Sequence, residues 1–359
     1  MSRSSVTIDS PEDDKLGKLC GILRDLSPEL TASGWPMEQL AACARHGVFE
    51  WFISPDWNGQ GWADLDIVRG YLALSKACLT TTFVITQRTG ACQRIEMSDN
   101  QALKERLLPD LAAGRCFATV GISHLTTSGR HLAQPVLRAE ETPRGFVLDG
   151  FCPWVTGSTR AELIVVGATL ADDRELLVAM PTDVTGVSTP PATELVGLTE
   201  SQTGRVCFER AEVERSWLLA GPVEQVMKQG VGARTGGLQT STLALGLAAA
   251  AIEYLANEAL NRPDLRTPSE SLRAEWQHLK SKLLSAAEGV PVCSNEELRT
   301  RANSLVLRAT QAALAAAKGT GYAKGHAAGR WCTEALFFLV WSCPQPVMAA
   351  NLCELAGIT

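Results

Sequence analysis

The period of the apolar residues changes twice along this 359-residue chain, and this change limits the folds that it can adopt. Apolar residues recur at helical spacing from about Lys15 to Gly114, and helical spacing returns from Pro222 onward. Between about Cys116 and Leu218 they alternate with a period of two, which is typical of β-strands. The pattern predicts an α+β fold with three domains. These are an N-terminal helical domain (1–115), a small antiparallel β domain (116–220) and a C-terminal helical bundle (221–359).

Local signals add detail to this prediction. Strands are expected in the β-rich runs 136–139, 145–148, 163–168, 176–180 and 205–208. Pro109 is expected to open a short helical turn that Gly114 ends. Ser294 and Glu297 have the spacing of a capping box at the start of a helix.

Charge and cysteine usage argue against several classes of function. The net charge of −6, without a stripe of Lys and Arg, argues against a nucleic-acid partner. The 11 cysteines are scattered without zinc-ligand spacing, so we predict reduced thiols and no metal site. The N-terminus lacks the apolar segment of a signal peptide, and the apolar tracts near 243–252 and 335–341 are shorter than a membrane span. We therefore expect a cytoplasmic protein without a membrane span.

The segment Trp154-Val155-Thr156 is a candidate site for a flat ring system. Residues two apart in a strand share a face, so Trp154 and Thr156 are expected to point the same way. The indole would pack against a planar ligand, and the hydroxyl would hydrogen-bond to its polar edge. Taken alone, the segment also fits a core aromatic residue followed by a turn.

Six segments, in order and spacing, resemble the acyl-CoA dehydrogenase superfamily. They are Pro55–Gly61, Leu108–Gly114, Trp154–Thr156, Gly197–Thr203 followed by Val206–Phe208, Gly319–Tyr322 and Arg330–Ala335. The resemblance covers most of the chain and implies FAD as cofactor, with Trp154-Val155-Thr156 in the place of the family's flavin-contacting Trp-Ile-Thr. The cofactor-binding residues that it implies are Ser123, Thr126, Ser128, Gly129, Trp154, Thr156, Gly319 and Gly321. It also implies a homodimer or homotetramer, which the Ala-rich helical faces at 248–251 and 312–317 favour as a contact surface.

The chain departs from the family at the flavin loop. Where family members carry Thr-Glu and a Gly-rich, Ser-Asp loop, this chain has Ile122–Gly129, rich in Ser and Thr. Hydroxyls and backbone N–H groups there can still bind a pyrophosphate or a pyrimidine edge. His124 has two interpretations: a hydrogen-bonded structural histidine, or a catalytic group or flavin-edge donor that titrates near neutral pH.

The chain also departs from the family at the catalytic base. Family dehydrogenases remove an α-proton with a glutamate in a Tyr-Glu-Gly-Thr segment, and Ser342 occupies that position here. The alternative position used by some members falls near Gly236 and Gly237. A serine hydroxyl without assistance is a very poor base, so the catalytic residues stay unassigned, with His124 and Ser342 as candidates.

Three functions therefore remain open. The first is an FAD-dependent oxidoreductase acting on a thioester of CoA or a carrier protein, or on a related small molecule, with a non-standard or missing base. The second is a flavin-dependent monooxygenase of the same superfamily, which needs no α-carbon base. The third is a non-catalytic, FAD-free structural paralogue.

Overall fold

The computed structural model of the chain describes residues 6–30, 34–126, 135–230 and 237–358. In this part of the chain, five α-helices precede the first strand, as the helical spacing predicted. They are α1 (Asp14–Leu26), α2 (Met37–Arg45), α3 (Asp64–Ala77), α4 (Leu79–Glu96) and α5 (Gln101–Ala112). The side chain of Asp13 caps α1 by accepting a hydrogen bond from the Lys15 backbone N–H at 3.0 Å.

Helix α4 is buried on nearly all sides although it is rich in threonine. The hydroxyls of Thr82, Thr86 and Thr89 donate to backbone carbonyls three or four residues earlier, at 2.8, 2.6 and 2.9 Å. These bonds satisfy polar groups that burial would otherwise make costly. Because of them, α4 can run through the interior, with α3 and the sheet on different sides of it.

The region of period two forms one eight-stranded sheet. Its strands are β1 (Ala118–Gly121), β2 (Leu137–Glu141), β3 (Gly145–Val155), β4 (Leu163–Thr169), β5 (Glu175–Pro181), β6 (Val187–Ser188), β7 (Gly204–Glu214) and β8 (Leu218–Val223). The strand order is β6-β7-β3-β2-β4-β5-β8, with β1 paired to β4. The short helical turn α6 (Ser123–Thr126) follows β1.

Most of the sheet is antiparallel, as predicted, but two pairings that involve β4 are parallel. β1 runs parallel to β4 over Ala118–Gly121, and β2 meets β4 in parallel at Arg138. Apolar alternation reports which face of a strand is buried and contains no information on strand direction. The parallel pairings therefore had no signal in the sequence.

Each predicted strand is present, and β3 and β7 are longer than predicted. β3 continues to Val155 and therefore includes Trp154. The prediction for Pro109 is wrong, because Pro109 lies inside α5, which begins eight residues earlier at Gln101. The capping prediction is confirmed on its serine side: Ser294 Oγ accepts a hydrogen bond from the Glu297 backbone N–H at 3.1 Å.

Helices return after the sheet. They are α7 (Leu238–Ala259), α8 (Arg266–Ala287), α9 (Asn295–Gly321), α10 (Ala327–Ala335) and α11 (Gln345–Leu355). α7 lies at the centre and packs against α3, α8 and α9. Gly246 permits the closest approach of α7 to α3, since a Cβ atom there would lie 2.6 Å from Ser75 Cβ.

Helix α7 is long and apolar enough to cross a membrane by length and composition. Our expectation that its apolar tract is too short for a span is therefore wrong on length, because the helix extends over 22 residues. In its most apolar window, however, 72% of the residues are buried inside the protein. This burial is typical of a core helix, whose apolar surface is covered by other helices.

Candidate functional site

A cavity of about 560 Å³ lies where the N-terminal helices, the sheet and the C-terminal helices meet. Its wall is formed by α4, the end of β1 with α6, the end of β3, the loop 195–203, the start of α7 and the segment 333–342. Cavities of this size commonly hold cofactors and small substrates. Several of the residues singled out in the sequence lie on its wall.

One face of α4 follows the length of the cavity. Phe83, Thr86, Gln87, Gly90 and Arg94 all line it, at the spacing that places residues on one side of a helix. Phe83 packs edge-on against Phe337 and Trp341, with ring centroids 4.7 and 5.1 Å away. The cavity therefore has an aromatic end at Phe83.

Trp154, near the end of β3, and Thr156, just after it, both line the cavity. Trp154 is half exposed, at 50% of its surface, and presents its ring to the opening. Thr156 is buried, and its Oγ1 lies 3.1 Å from Thr203 Oγ1, which in turn lies 2.8 Å from Ser201 Oγ. These three hydroxyls form a connected hydrogen-bonding group behind the indole.

Ser123 and Thr126 also line the cavity. Thr126 Oγ1 donates to the Ser123 backbone carbonyl at 3.0 Å. Ser123 Oγ is buried and finds no hydrogen-bond partner in the described parts of the chain. A buried hydroxyl at a cavity wall in this state is a ready partner for a ligand. Ser128 and Gly129 lie outside the described residues.

The structure does not place His124 on the cavity wall. Its ring is buried toward β4, with Nε2 2.8 Å from the Gly167 backbone carbonyl. That geometry requires a proton on Nε2, and burial lowers the pKa of the imidazole. His124 therefore fits the structural interpretation rather than the catalytic or flavin-edge one.

The two glycines of the 319–322 loop are not brought to the cavity either. α9 is interrupted at Lys318, where φ is 56° and ψ is −149°, so the glycines follow a kink. Gly319 is exposed, whereas Gly321 packs closely: a Cβ atom there would lie 2.6 Å from Ala317 Cβ. The assignment of Gly319 and Gly321 to this site is therefore not supported within a single chain.

The sequence resemblance gives two positions for a catalytic base, Ser342 and the pair Gly236 and Gly237. Ser342 lines the cavity, in the left-handed region with φ of 42°, and so does Gly237; Gly236 lies outside the described residues. The buried Arg299 holds Ser342 in place by donating to its backbone carbonyl from Nη1 at 2.8 Å and to the Trp341 carbonyl from Nη2. The sequence identified Ser342 but gave no signal for Arg299.

Arg94 is the one ionisable side chain on the described part of the cavity wall. It is 2% exposed, and burial lowers its pKa to about 10, so it is a cation at neutral pH. Sequence reasoning missed it. The available signal was its helical spacing from Gly90 and Phe83 within a segment otherwise rich in Thr and apolar residues.

Behind the wall lies a second buried ionisable residue, Glu334. Its Oε1 accepts a hydrogen bond from Thr80 Oγ1 at 3.1 Å and lies 3.8 Å from Arg330 Nε. Burial raises its pKa to about 7 despite these contacts. Thr333, its neighbour in α10, faces the cavity, whereas Glu334 faces α4.

The residues present fit a flavin. The flat face of the ring would pack against the exposed indole of Trp154. Its polar edge would hydrogen-bond to the hydroxyls of Thr156 and Thr203, and Ser123 Oγ would gain a hydrogen-bond partner. Arg94 would add a cation at the same wall. The aromatic end at Phe83 leaves an apolar surface for a substrate.

Comparison with known proteins agrees with this fold. No protein-family model matches the chain. The probable acyl-CoA dehydrogenase YngJ of Bacillus subtilis (strain 168) is 22% identical over 248 residues, which span 67% of this chain but only 64% of the relative.

Two solved structures resemble the whole chain. An acyl-CoA dehydrogenase from Geobacillus kaustophilus superposes with a TM-score of 0.80 at 15% identity, covering 96% of this chain and 98% of that one. The dibenzothiophene monooxygenase TdsC from Paenibacillus sp. A11-2 superposes with a TM-score of 0.77 at 18% identity, covering 95% of each chain. TdsC has also been crystallised with FMN and indole. In sequence the chain is therefore similar to a probable acyl-CoA dehydrogenase, and it shares the fold of acyl-CoA dehydrogenases.

Proposed function

We propose that this protein is a flavin-dependent oxidoreductase that binds FAD in the cavity beside Trp154. The observation that carries the proposal is the convergence of the half-exposed indole, the Thr156–Thr203 hydroxyl pair and the unsatisfied Ser123 hydroxyl on one wall. These side chains match a ring with an apolar face and a hydrogen-bonding edge. Solved structures of the same fold include an FAD-dependent dehydrogenase and TdsC bound to FMN, which supports a flavin.

The protein's own residues in this cavity bind and orient rather than transfer protons. The described wall contains no carboxylate and no histidine, and its hydroxyls are very poor bases. Bound flavin would supply the redox chemistry, by accepting a hydride or, once reduced, by reacting with oxygen. The apolar wall would exclude water, and Phe83, Phe337 and Trp341 would hold the substrate.

A substrate of acyl-thioester type, carried by CoA or by a carrier protein, is the first candidate. A flavin-dependent monooxygenase is the second, and one observation favours it: Ser342 and Gly237, at the positions where the sequence resemblance expects a proton acceptor, line the cavity and carry no carboxylate. Oxygen activation by reduced flavin needs no base at the α-carbon. The rate at which photoreduced flavin on the protein reacts with oxygen, with and without thioester ligands, distinguishes the two.

We expect the purified protein to bind FAD and Trp154→Ala to bind it at least 10-fold more weakly. A stacked ring contact contributes about 0.5 to 1.5 kcal/mol beyond the apolar area that it buries, and a factor of ten in affinity is 1.4 kcal/mol. Stability should change little, because half of the Trp154 surface is already exposed. Quenching of FAD fluorescence gives the affinity, and thermal unfolding of the apoprotein gives the stability.

Trp217→Ala is the matched control, since Trp217 is partly buried but lies off the cavity wall. It should leave FAD affinity unchanged. Wild-type protein that neither quenches FAD nor shifts its unfolding temperature would reject the cofactor and support the FAD-free paralogue. An equal loss of affinity and stability in Trp154→Ala would make Trp154 a core residue.

We also propose that the protein forms a homodimer or homotetramer through its C-terminal helices. The aromatic residues at 331–341 are largely covered within one chain, because Phe338 is fully buried and its aromatic neighbours are partly buried. Three exposed apolar residues lie on α11: Met348, Leu352 and Leu355, which are 43%, 58% and 61% exposed. Their spacing of four and three places them on one face.

Light scattering should therefore give a mass of at least twice 38.5 kDa at micromolar concentration. Leu352→Glu should lower this mass, because a charge in an apolar contact is costly to bury. Met37→Glu, at an exposed methionine of α2, should not. A monomer mass for the wild type would contradict the proposal.

A further inference from the structure

Arg94 is held against the cavity wall by the absence of a side chain at Gly90. Its Nη1 donates to the Gly90 backbone carbonyl at 2.7 Å. A Cβ atom at Gly90 would lie 3.3 Å from that nitrogen and 3.5 Å from Val120 Cγ1. The guanidinium therefore folds back over α4 into space beside β1 that a larger residue would narrow.

This position puts the cation at the polar end of the cavity. Val120 belongs to β1, and Ser123 and Thr126 follow directly in α6, all of them on the cavity wall. Phe83, at the aromatic end, lies 11 residues earlier in α4, or about 16 Å along the helix axis at 1.5 Å per residue. One end thus offers a cation beside hydroxyls, and the other offers mainly aromatic rings, with the Ser342 hydroxyl next to Trp341.

The isoalloxazine ring of a flavin likewise has one polar edge and one apolar edge. Its pyrimidine edge presents two carbonyls and an N–H group, whereas its dimethylbenzene edge is apolar. In the reduced, anionic form the negative charge is shared between N1 and the C2 oxygen. A protein tunes such a cofactor mainly through hydrogen bonds and charge near that edge.

We propose that Arg94 binds the pyrimidine edge of the flavin and stabilises the negative charge of its reduced form. The inference rests on the proposed function, since it needs a flavin in this cavity. A planar guanidinium suits the edge because it offers several N–H donors in one plane, and charge-assisted bonds of this kind are stronger than neutral ones. Arg94 thereby acts as a cofactor-binding residue that favours electron uptake.

The test is the ratio of affinities for reduced and oxidised FAD, measured by equilibrating the FAD-loaded protein with a dye of known potential during slow anaerobic reduction. Arg94→Gln should lower this ratio by about 10- to 100-fold, as expected when a charged hydrogen bond is lost. Arg94→Lys retains the charge but not the planar fork, so it should recover part of the ratio.

Gly90→Ala provides a second variant in case Arg94→Gln does not fold. It adds one methyl group 3.3 Å from Nη1 and displaces the guanidinium without removing its charge. We expect the ratio to fall by a few fold. Gln93→Ala, at a partly buried residue of α4 that does not line the cavity, is the control and should leave the ratio unchanged.

An unchanged ratio in both Arg94→Gln and Gly90→Ala, with FAD still bound, would overturn the inference and leave the proposed function intact. It would assign Arg94 to a substrate anion instead. Failure of the wild type to bind FAD at all would reject the proposed function and this inference together.

Discussion

Anaerobic mixing of the FAD-loaded protein with saturated acyl-CoAs of several chain lengths should leave the flavin oxidised. The sequence resemblance expects a catalytic carboxylate at one of two positions, and these hold Ser342 and Gly237, both of which line the cavity. Loss of a positioned base typically lowers the rate by about 10² to 10⁴. The absorbance of oxidised flavin near its visible maximum reports the outcome within one mixing experiment.

Ser342→Glu tests the same prediction by adding a carboxylate at the position where the base is expected. Ser342 faces the cavity, and Arg299 fixes its backbone through the Ser342 and Trp341 carbonyls, so a glutamate there would point into the same space. We expect bleaching by acyl-CoA to recover by as much as the roughly 10²- to 10⁴-fold attributed to the base. The residue already has a positive φ of 42°, so the substitution adds little new backbone strain.

Ser342→Gln is the control, because it adds the same bulk without a base. Bleaching restored by glutamate but not by glutamine would show that the missing carboxylate limits the reaction. Rapid bleaching of the wild type would refute the prediction and direct attention to a carboxylate that moves into the cavity. Glu253 is a poor candidate for this role, because it is 55% exposed and pairs with Lys76 at 3.1 Å.

The stability of the protein should fall as the pH rises from about 4.5 to about 7, and Glu334 should account for much of the fall. The pKa of this carboxyl is about 7 in the folded protein against an ordinary value of 4.5. Between these values the folded state keeps the proton and the unfolded state has released it. The free energy of unfolding therefore decreases with pH through this window and becomes independent of Glu334 above it. This difference in pKa between the folded and unfolded states corresponds to about 3 kcal/mol in the free energy of unfolding.

Glu334→Gln should remove this part of the pH dependence, because an amide keeps the acceptor for Thr80 Oγ1 and does not ionise. Urea unfolding at a series of pH values measures the effect as the difference between wild type and variant. Glu253→Gln, at an exposed ion pair, is the control and should leave the slope unchanged. Equal slopes in wild type and Glu334→Gln would mean that Arg330 keeps Glu334 ionised in the folded state.

Several parts of the site were accessible from the sequence because they depend on short-range geometry. Trp154 and Thr156, singled out as neighbours two residues apart, both line the cavity where β3 ends. The alignment of the last helical region identified Ser342. His124 shows the limit of such reasoning, since its neighbours Ser123 and Thr126 face the cavity while its ring is directed toward Gly167.

The sequence by itself determined the order of helices and strands, the strands' buried faces and the absence of a glutamate at position 342. Local spacing decides these properties, because a helix repeats every 3.6 residues and a strand every two. The sequence could not determine which polar groups of α4 face the cavity, since this helix is buried on nearly all sides and has no distinct apolar stripe.

Two arginines of α4 show how the surroundings of a buried helix decide the role of its polar side chains. Arg88 is buried against the Phe49 ring, 4.0 Å from its centroid, and donates to the Leu111 carbonyl. Arg94 lies on the cavity wall. Both are almost fully buried, and their roles differ only because the sheet, the C-terminal helices and α5 surround α4 on different sides. Only the tertiary structure decided that Arg94 is the cation of the site.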